Sequence, residues 1–314
     1  MILAICLLLV AGSGLLAGPW LLRRVAATQT SPLAGIAAWQ IASWSVFFGA
    51  ALAVAIVASP SVVSIGHLPQ GLESCVVVLR HVPAQQASVL KLPAAVLLVG
   101  ALTRLATSAL RTALDDRRQR ARHRAMLSVV GRIEPVMGVS VLEDATPVVY
   151  CVPGHGGTVV FTSSALELLT DAQRVAVLAH ERAHLRGRHH LVLVWGSLLA
   201  QAFPRVRLFR DARENTSRLI EMRADDVAAS GCGRHSIVEA LFALAGKGTP
   251  SMALGASGIE TVQRVERLLA TADSRQQSAL TRLRRVAVGA GMYSLIAVSP
   301  GVLAIVSHAA LCLD

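Results

Sequence analysis

Four apolar runs constrain this chain more than anything else in it: residues 1–22, 36–58, 92–110 and 286–306. About 20 apolar residues wound as an α-helix cross the hydrocarbon core of a bilayer. In that medium a segment has to satisfy its backbone groups internally, which a helix does and an open strand does not. The runs therefore predict four membrane-spanning helices. Composition agrees, with 54% hydrophobic residues and a mean hydropathy of +0.56, too apolar for an ordinary soluble enzyme. The first run starts at Met1 with no leading positive charge, and Arg23 and Arg24 follow it. A cleaved signal peptide has the opposite order, so this run is expected to remain as a span. Arg104 interrupts the third run and is expected to face the bundle or reach toward head groups.

Charge sets the orientation. Lys and Arg number 30 against 19 Asp and Glu, a net +11, and Lys91 and Lys247 are the only lysines. So basic a chain would suit a nucleic-acid partner, but it has no aromatic platform, finger or helix-turn-helix signature, and direct nucleic-acid binding is not expected. The arginines cluster instead beside the apolar runs: Arg23 and Arg24 after the first, Arg111 to Arg124 after the third, and Arg282, Arg284 and Arg285 before the fourth. Positive flanks stay on the cytoplasmic side. The expected plan is a multi-pass protein of the bacterial cell membrane. Three spans fill residues 1–110, with an extracytoplasmic loop over 59–91. A cytoplasmic domain covers 111–285, a fourth span 286–306, and an extracytoplasmic tail 307–314, so both termini lie outside. Cys151 and Cys232 would sit on the reducing side. Cys75 and Cys312 would both be outside, and nothing in the sequence sets the distance between them.

Within 111–285 the expected fold is α+β and mainly helical. Val139–Leu142, Val148–Val152 and Thr158–Thr162 are β-branched runs separated by turn residues, which predicts a small antiparallel sheet. Its edge could take up an extended peptide as an added strand. Then comes Asp171 to Leu191, rich in helix formers, with Thr170 and Gln173 at capping-box spacing. It contains His180-Glu181-Arg182-Ala183-His184. Four residues apart on a helix, His180 and His184 share a face and can offer both imidazoles to one ion. Glu181 is placed to take a proton from water at that ion, the constellation of a zinc hydrolase. A catalytic zinc site needs a third protein ligand. Downstream, Glu221 and Asp225 are again four apart in a helix-compatible stretch. Glu221 is the expected third ligand, and Asp225 the carboxylate that holds the outer nitrogen of a ligating imidazole. The expected cofactor is one Zn2+ per chain. His189 and His190 are out of helical phase with His184 and are expected to be non-ligands. His155, Arg223 and His235 are candidates for stabilising an oxyanion.

These residues, His180-Glu181-Arg182-Ala183-His184 with Glu221 and Ala224-Asp225, resemble the BlaR/MecR family of integral-membrane zinc metallopeptidases within the gluzincin group. Three spans before the catalytic segment and one after, and the stretch Arg264-Val265-Glu266-Arg267-Leu268-Leu269, resemble that family too. The resemblance implies a gluzincin-like zinc endopeptidase and, as substrate, a cytoplasmic BlaI-like winged-helix repressor in a signalling pathway. Antibiotic-sensing members continue into an extracellular penicillin-binding domain. This sequence stops at Asp314, so β-lactam sensing by acylation is not expected. Two other readings remain: an HtpX-like quality-control protease, and a non-catalytic membrane receptor that sequesters a repressor. A homodimer is compatible with the sequence and not required by it.

Overall fold

The computed structural model describes residues 2–28, 31–58, 84–154, 156–246 and 258–270. Three helices come first: α1 (Ile2–Thr28), α2 (Pro32–Ala58) and α3 (Ala84–Val130). All three are long and apolar enough to cross a membrane. Residues 84–91, expected as part of a loop, belong to α3 instead. Nothing in Ala84-Gln85-Gln86-Ala87-Ser88-Val89-Leu90 opposes a helix. The same helix runs on unbroken through the arginine-rich stretch to Val130. The fourth apolar run, the expected extracytoplasmic tail, Cys75, Cys312 and His155 lie outside the described residues.

A four-stranded sheet follows, formed by β1 (Arg132–Glu134), β2 (Val139–Leu142), β3 (Val149–Val152) and β4 (Thr158–Thr162) in the order β1-β2-β4-β3. It is mixed, not antiparallel as expected: β2 and β4 run parallel, pairing Val141 with Phe161. The connection from β2 to β3 carries the chain one strand position too far for a meander. The β3–β4 hairpin then returns β4 into the vacant slot, with Tyr150 opposite Val160. The central strand is accordingly the most buried, with Val160 and Phe161 fully enclosed. β1 was not foreseen, since its one apolar residue, Ile133, faces outward and leaves no alternation to read.

Six helices complete the described chain: α4 (Ser163–Leu168), α5 (Asp171–Arg186), α6 (His189–Ala202), α7 (Arg207–Cys232), α8 (Arg234–Ala245) and α9 (Gly258–Ala270). One core joins the sheet to α4, α5 and α8 through Val139, Val141, Phe161, Leu169, Val177 and Ala240. A second joins α5, α7, α8 and α9 through Ala176, Ala228, Ile237 and Leu268. The third locks the α6–α7 hairpin onto the long helices, with Trp39 and Phe47 of α2 packed against Leu199, Leu208 and Phe209. Polar contacts reinforce that joint. Gln40 donates to Thr216 at 3.0 Å, Arg23 pairs with buried Asp211 at 2.9 Å, and Arg104 caps the end of α6 by donating to the Ala202 carbonyl. Arg104 thus faces the bundle, where its charge answers the negative end of a helix dipole. Trp44 stacks on Trp195 with ring centroids 4.6 Å apart.

Candidate metal centre

Helix α5 begins with the capping box. Thr170 accepts from the Gln173 backbone N–H, and the Gln173 side chain accepts from Thr170 N–H. From that start the helical phase turns His180 and His184 to one side, where α7 crosses α5. The two Nε2 atoms face each other at 3.0 Å. Glu221 of α7 completes a triangle, with carboxylate oxygens 3.5 Å from His180 Nε2 and 3.6 Å from His184 Nε2. A tetrahedral zinc site with metal–ligand bonds of about 2.0–2.1 Å has ligand atoms about 3.3 Å apart. The donor types and their spacing therefore fit a zinc ion, with a fourth position left for water or substrate.

On the far side of His180, Nδ1 lies 3.0 Å from Asp225 Oδ1. Asp225 is itself held by Arg264 of α9, which donates from Nε to Oδ2 at 2.8 Å and from Nη2 to Oδ1 at 2.6 Å. Arg264 Nη1 also reaches Glu221 Oε2 at 3.3 Å. This fork shows on the sequence only as one more basic residue of an amphipathic helix. Its signal would have been the bidentate geometry that Arg offers a buried carboxylate, and that depends on how α9 docks.

Burial and charge act together on every group here. Burial lowers the pKa of His180, but the Asp225 and Glu221 carboxylates outweigh it and carry the metal-free group up to about 10. His184 goes the other way, to about 4, through burial and the neighbouring His180 charge. Burial raises the pKa of Glu221, yet His180 and then Arg264 bring it down to about 2. Asp225 is likewise held well below the usual carboxylate range, chiefly by Arg264 against its burial. Glu181 is pushed up by burial. The Cys151 thiol is near it, and burial and then the Glu181 carboxylate raise the pKa of that thiol. Cys151 lies on β3, so an edge strand of the sheet runs beside the glutamate of the motif.

The structure thus brings together His180, Glu181, His184, Glu221 and Asp225. It adds Arg264, Cys151 and His189, whose Nδ1 lies 3.1 Å from His184 Nδ1. Of the candidate oxyanion donors, His235 is exposed and pairs with Glu239 at 2.8 Å, and Arg223 lies close enough to His189 to depress its pKa alongside burial.

No curated protein matches the chain, and no solved structure does. One protein-family model does, Peptidase family M48, over residues 115–214. That segment is about a third of the 314 residues; it includes the His-Glu-x-x-His helix and ends before Glu221. Beside a His-His-Glu cluster fit to hold a metal ion, the match supports a metallopeptidase similar to family M48.

Proposed function

We propose that the chain is a membrane-embedded zinc endopeptidase that cuts an extended segment of a protein on the cytoplasmic side. The observation that carries this reading is the cluster of His180, His184 and Glu221, with the half-buried Glu181 on the same helix as the two histidines and near enough to His180 and Glu221 to feel their charges. A bound zinc ion would supply a Lewis acid that acidifies water and polarises a carbonyl. The protein does the rest. His180, His184 and Glu221 would hold the ion, and Asp225, itself held by Arg264, stands against the outer nitrogen of His180. Glu181 takes the proton of the attacking water and returns it to the leaving amine. Its raised pKa brings the carboxyl nearer the pH at which one group serves as both base and acid. Strand β3 ends the sheet next to this glutamate, so a substrate strand could pair with its backbone and lie across the site.

The substrate we favour is a BlaI-like winged-helix repressor, on the BlaR/MecR resemblance of the motif residues and the arrangement of spans. One observation favours a second reading, an HtpX-like protease acting on membrane proteins. The helix carrying Glu221 packs directly on α1 and α2, close to where a membrane-bound substrate would be held.

The deciding experiment is proteolysis in membranes of a candidate repressor and of a misfolded membrane protein, with wild type and Glu181→Gln at matched zinc content. Loss of all cleavage in the variant while zinc stays bound supports the peptidase mechanism. Cleavage of the repressor alone supports the signalling reading, and broad cleavage the quality-control one. If neither form cleaves anything and repressor release survives the substitution, the receptor reading replaces both.

A further inference from the structure

The two histidines of the motif have different partners at their outer nitrogens. His180 has the Asp225 carboxylate. His184 has another imidazole, that of His189, with Nδ1 to Nδ1 at 3.1 Å and the two rings at 87°. His189 is 93% buried, being only 7% exposed, and its position is not an accident of helix phase. Helix α5 ends at Gly187, and α6 begins after Arg188, which sits in the left-handed region at φ 47° and ψ 40°. Arg188 is the only described non-glycine residue with positive φ, a conformation that persists only where its surroundings enforce it. The reversal swings His189 back over the end of α5.

Gly187 makes room for it. Its own φ is −74°, so no backbone demand calls for glycine. A Cβ on Gly187 would instead stand 2.4 Å from His189 Nε2 and 2.6 Å from Cδ2. The glycine, the strained arginine and the buried imidazole form one device aimed at His184.

We infer that His189 is a positioning residue for the metal centre, accepting a hydrogen bond from His184 Nδ1–H and so fixing the tautomer and orientation of that ligand. This rests on the reading of His184 as a metal ligand. With Nε2 turned toward His180 and Glu221, the His184 proton belongs on Nδ1, and His189 then carries its own on Nε2. Groups that orient metal-bound imidazoles typically contribute 10–100-fold in metal affinity.

The test is zinc affinity of the full chain in detergent, by chelator competition, together with the visible absorption of the cobalt-substituted protein. His189→Ala is expected to weaken zinc binding at least tenfold and to alter the cobalt spectrum. His189→Asn, whose side-chain oxygen falls where Nδ1 was, should recover most of the loss. Gly187→Ala should weaken binding in the wild-type background and much less in the His189→Ala background, where the displaced ring is absent and only the Ala183 carbonyl at 3.0 Å remains close. Unchanged affinity and spectrum in His189→Ala would overturn the inference. So would equal losses for Ala and Asn, or a Gly187→Ala penalty of the same size in both backgrounds. If His189→Ala binds zinc normally while His180→Ala and His184→Ala lose it, the ligand assignment stands and only the positioning role is lost. If His184→Ala keeps wild-type affinity, both fall together.

Discussion

Arg264 shows what one side chain contributes to a buried site. Asp225 is only 1% exposed at its side chain, and an ionised carboxylate there has lost its water. The two charge-assisted hydrogen bonds from the guanidinium replace that water. Arg264→Met is therefore expected to destabilise the fold by about 3–5 kcal/mol, the usual cost of leaving one member of a buried pair without its partner. Thermal melts in detergent read this, and a melting point within a degree of wild type would refute it. Protons give a second prediction. In the metal-free protein the His180 pKa, raised to about 10, leaves that ring charged at pH 7, whereas a zinc ligand has to be neutral. Loading zinc at pH 7 should release close to one proton, seen as a dependence of binding heat on buffer ionisation enthalpy. The same shift has a stability sign. A raised pKa means stabilisation that is complete below about 6.5 and is lost as pH rises toward 10. The metal-free protein should therefore lose stability across that interval. A flat profile there would count against the shift. On the sequence, His180, Glu181 and His184 were legible because helical spacing alone puts them together. Arg264, Cys151 and His189 were not, because each arrives from a separate element.

At the scale of elements, local chemistry carried α5 and tertiary packing carried the sheet. The start of α5 is written in Thr170 and Gln173, and both reciprocal bonds are made. Thr170→Ala should cost about 1 kcal/mol, in the range usual for N-caps, measured by thermal or denaturant unfolding; no loss at all would mean the helix start is fixed by packing. The runs forming β2, β3 and β4 were equally readable, but their order was not. Alternation specifies which residues face inward and says nothing about which strand is the neighbour. Glycines show the same division. At Gly196 a Cβ would come within 2.6 Å of Gln40 Nε2, so Gly196→Leu should wedge α6 from α2 and break the Gln40–Thr216 bond. The expected cost is about 1–3 kcal/mol, as for other overpacked contacts, checked by thermal melting.

For the whole molecule, the peptidase elements and the long apolar helices are one packed body. Trp39 is fully buried against residues of α6 and α7, and Asp211 depends on Arg23. Residues 111–285 expressed alone should therefore expose the α2-facing surface of α6 and α7 and aggregate without detergent. A monodisperse soluble fragment on size-exclusion chromatography would contradict this. The sequence alone determined what depends on neighbours along the chain. Three apolar segments are helices because uninterrupted apolar residues permit little else, and two histidines share a face because four residues make about one turn. Tertiary structure decided what depends on neighbours in space. It put β4 between β2 and β3, sent the α6–α7 hairpin against α1 and α2, and brought α9 over the site. It also folded His189 back onto His184 through the space a missing side chain leaves at Gly187. Those outcomes rest on complementary shapes and charges from distant parts of the chain, and no local pattern encodes which distant surfaces will meet.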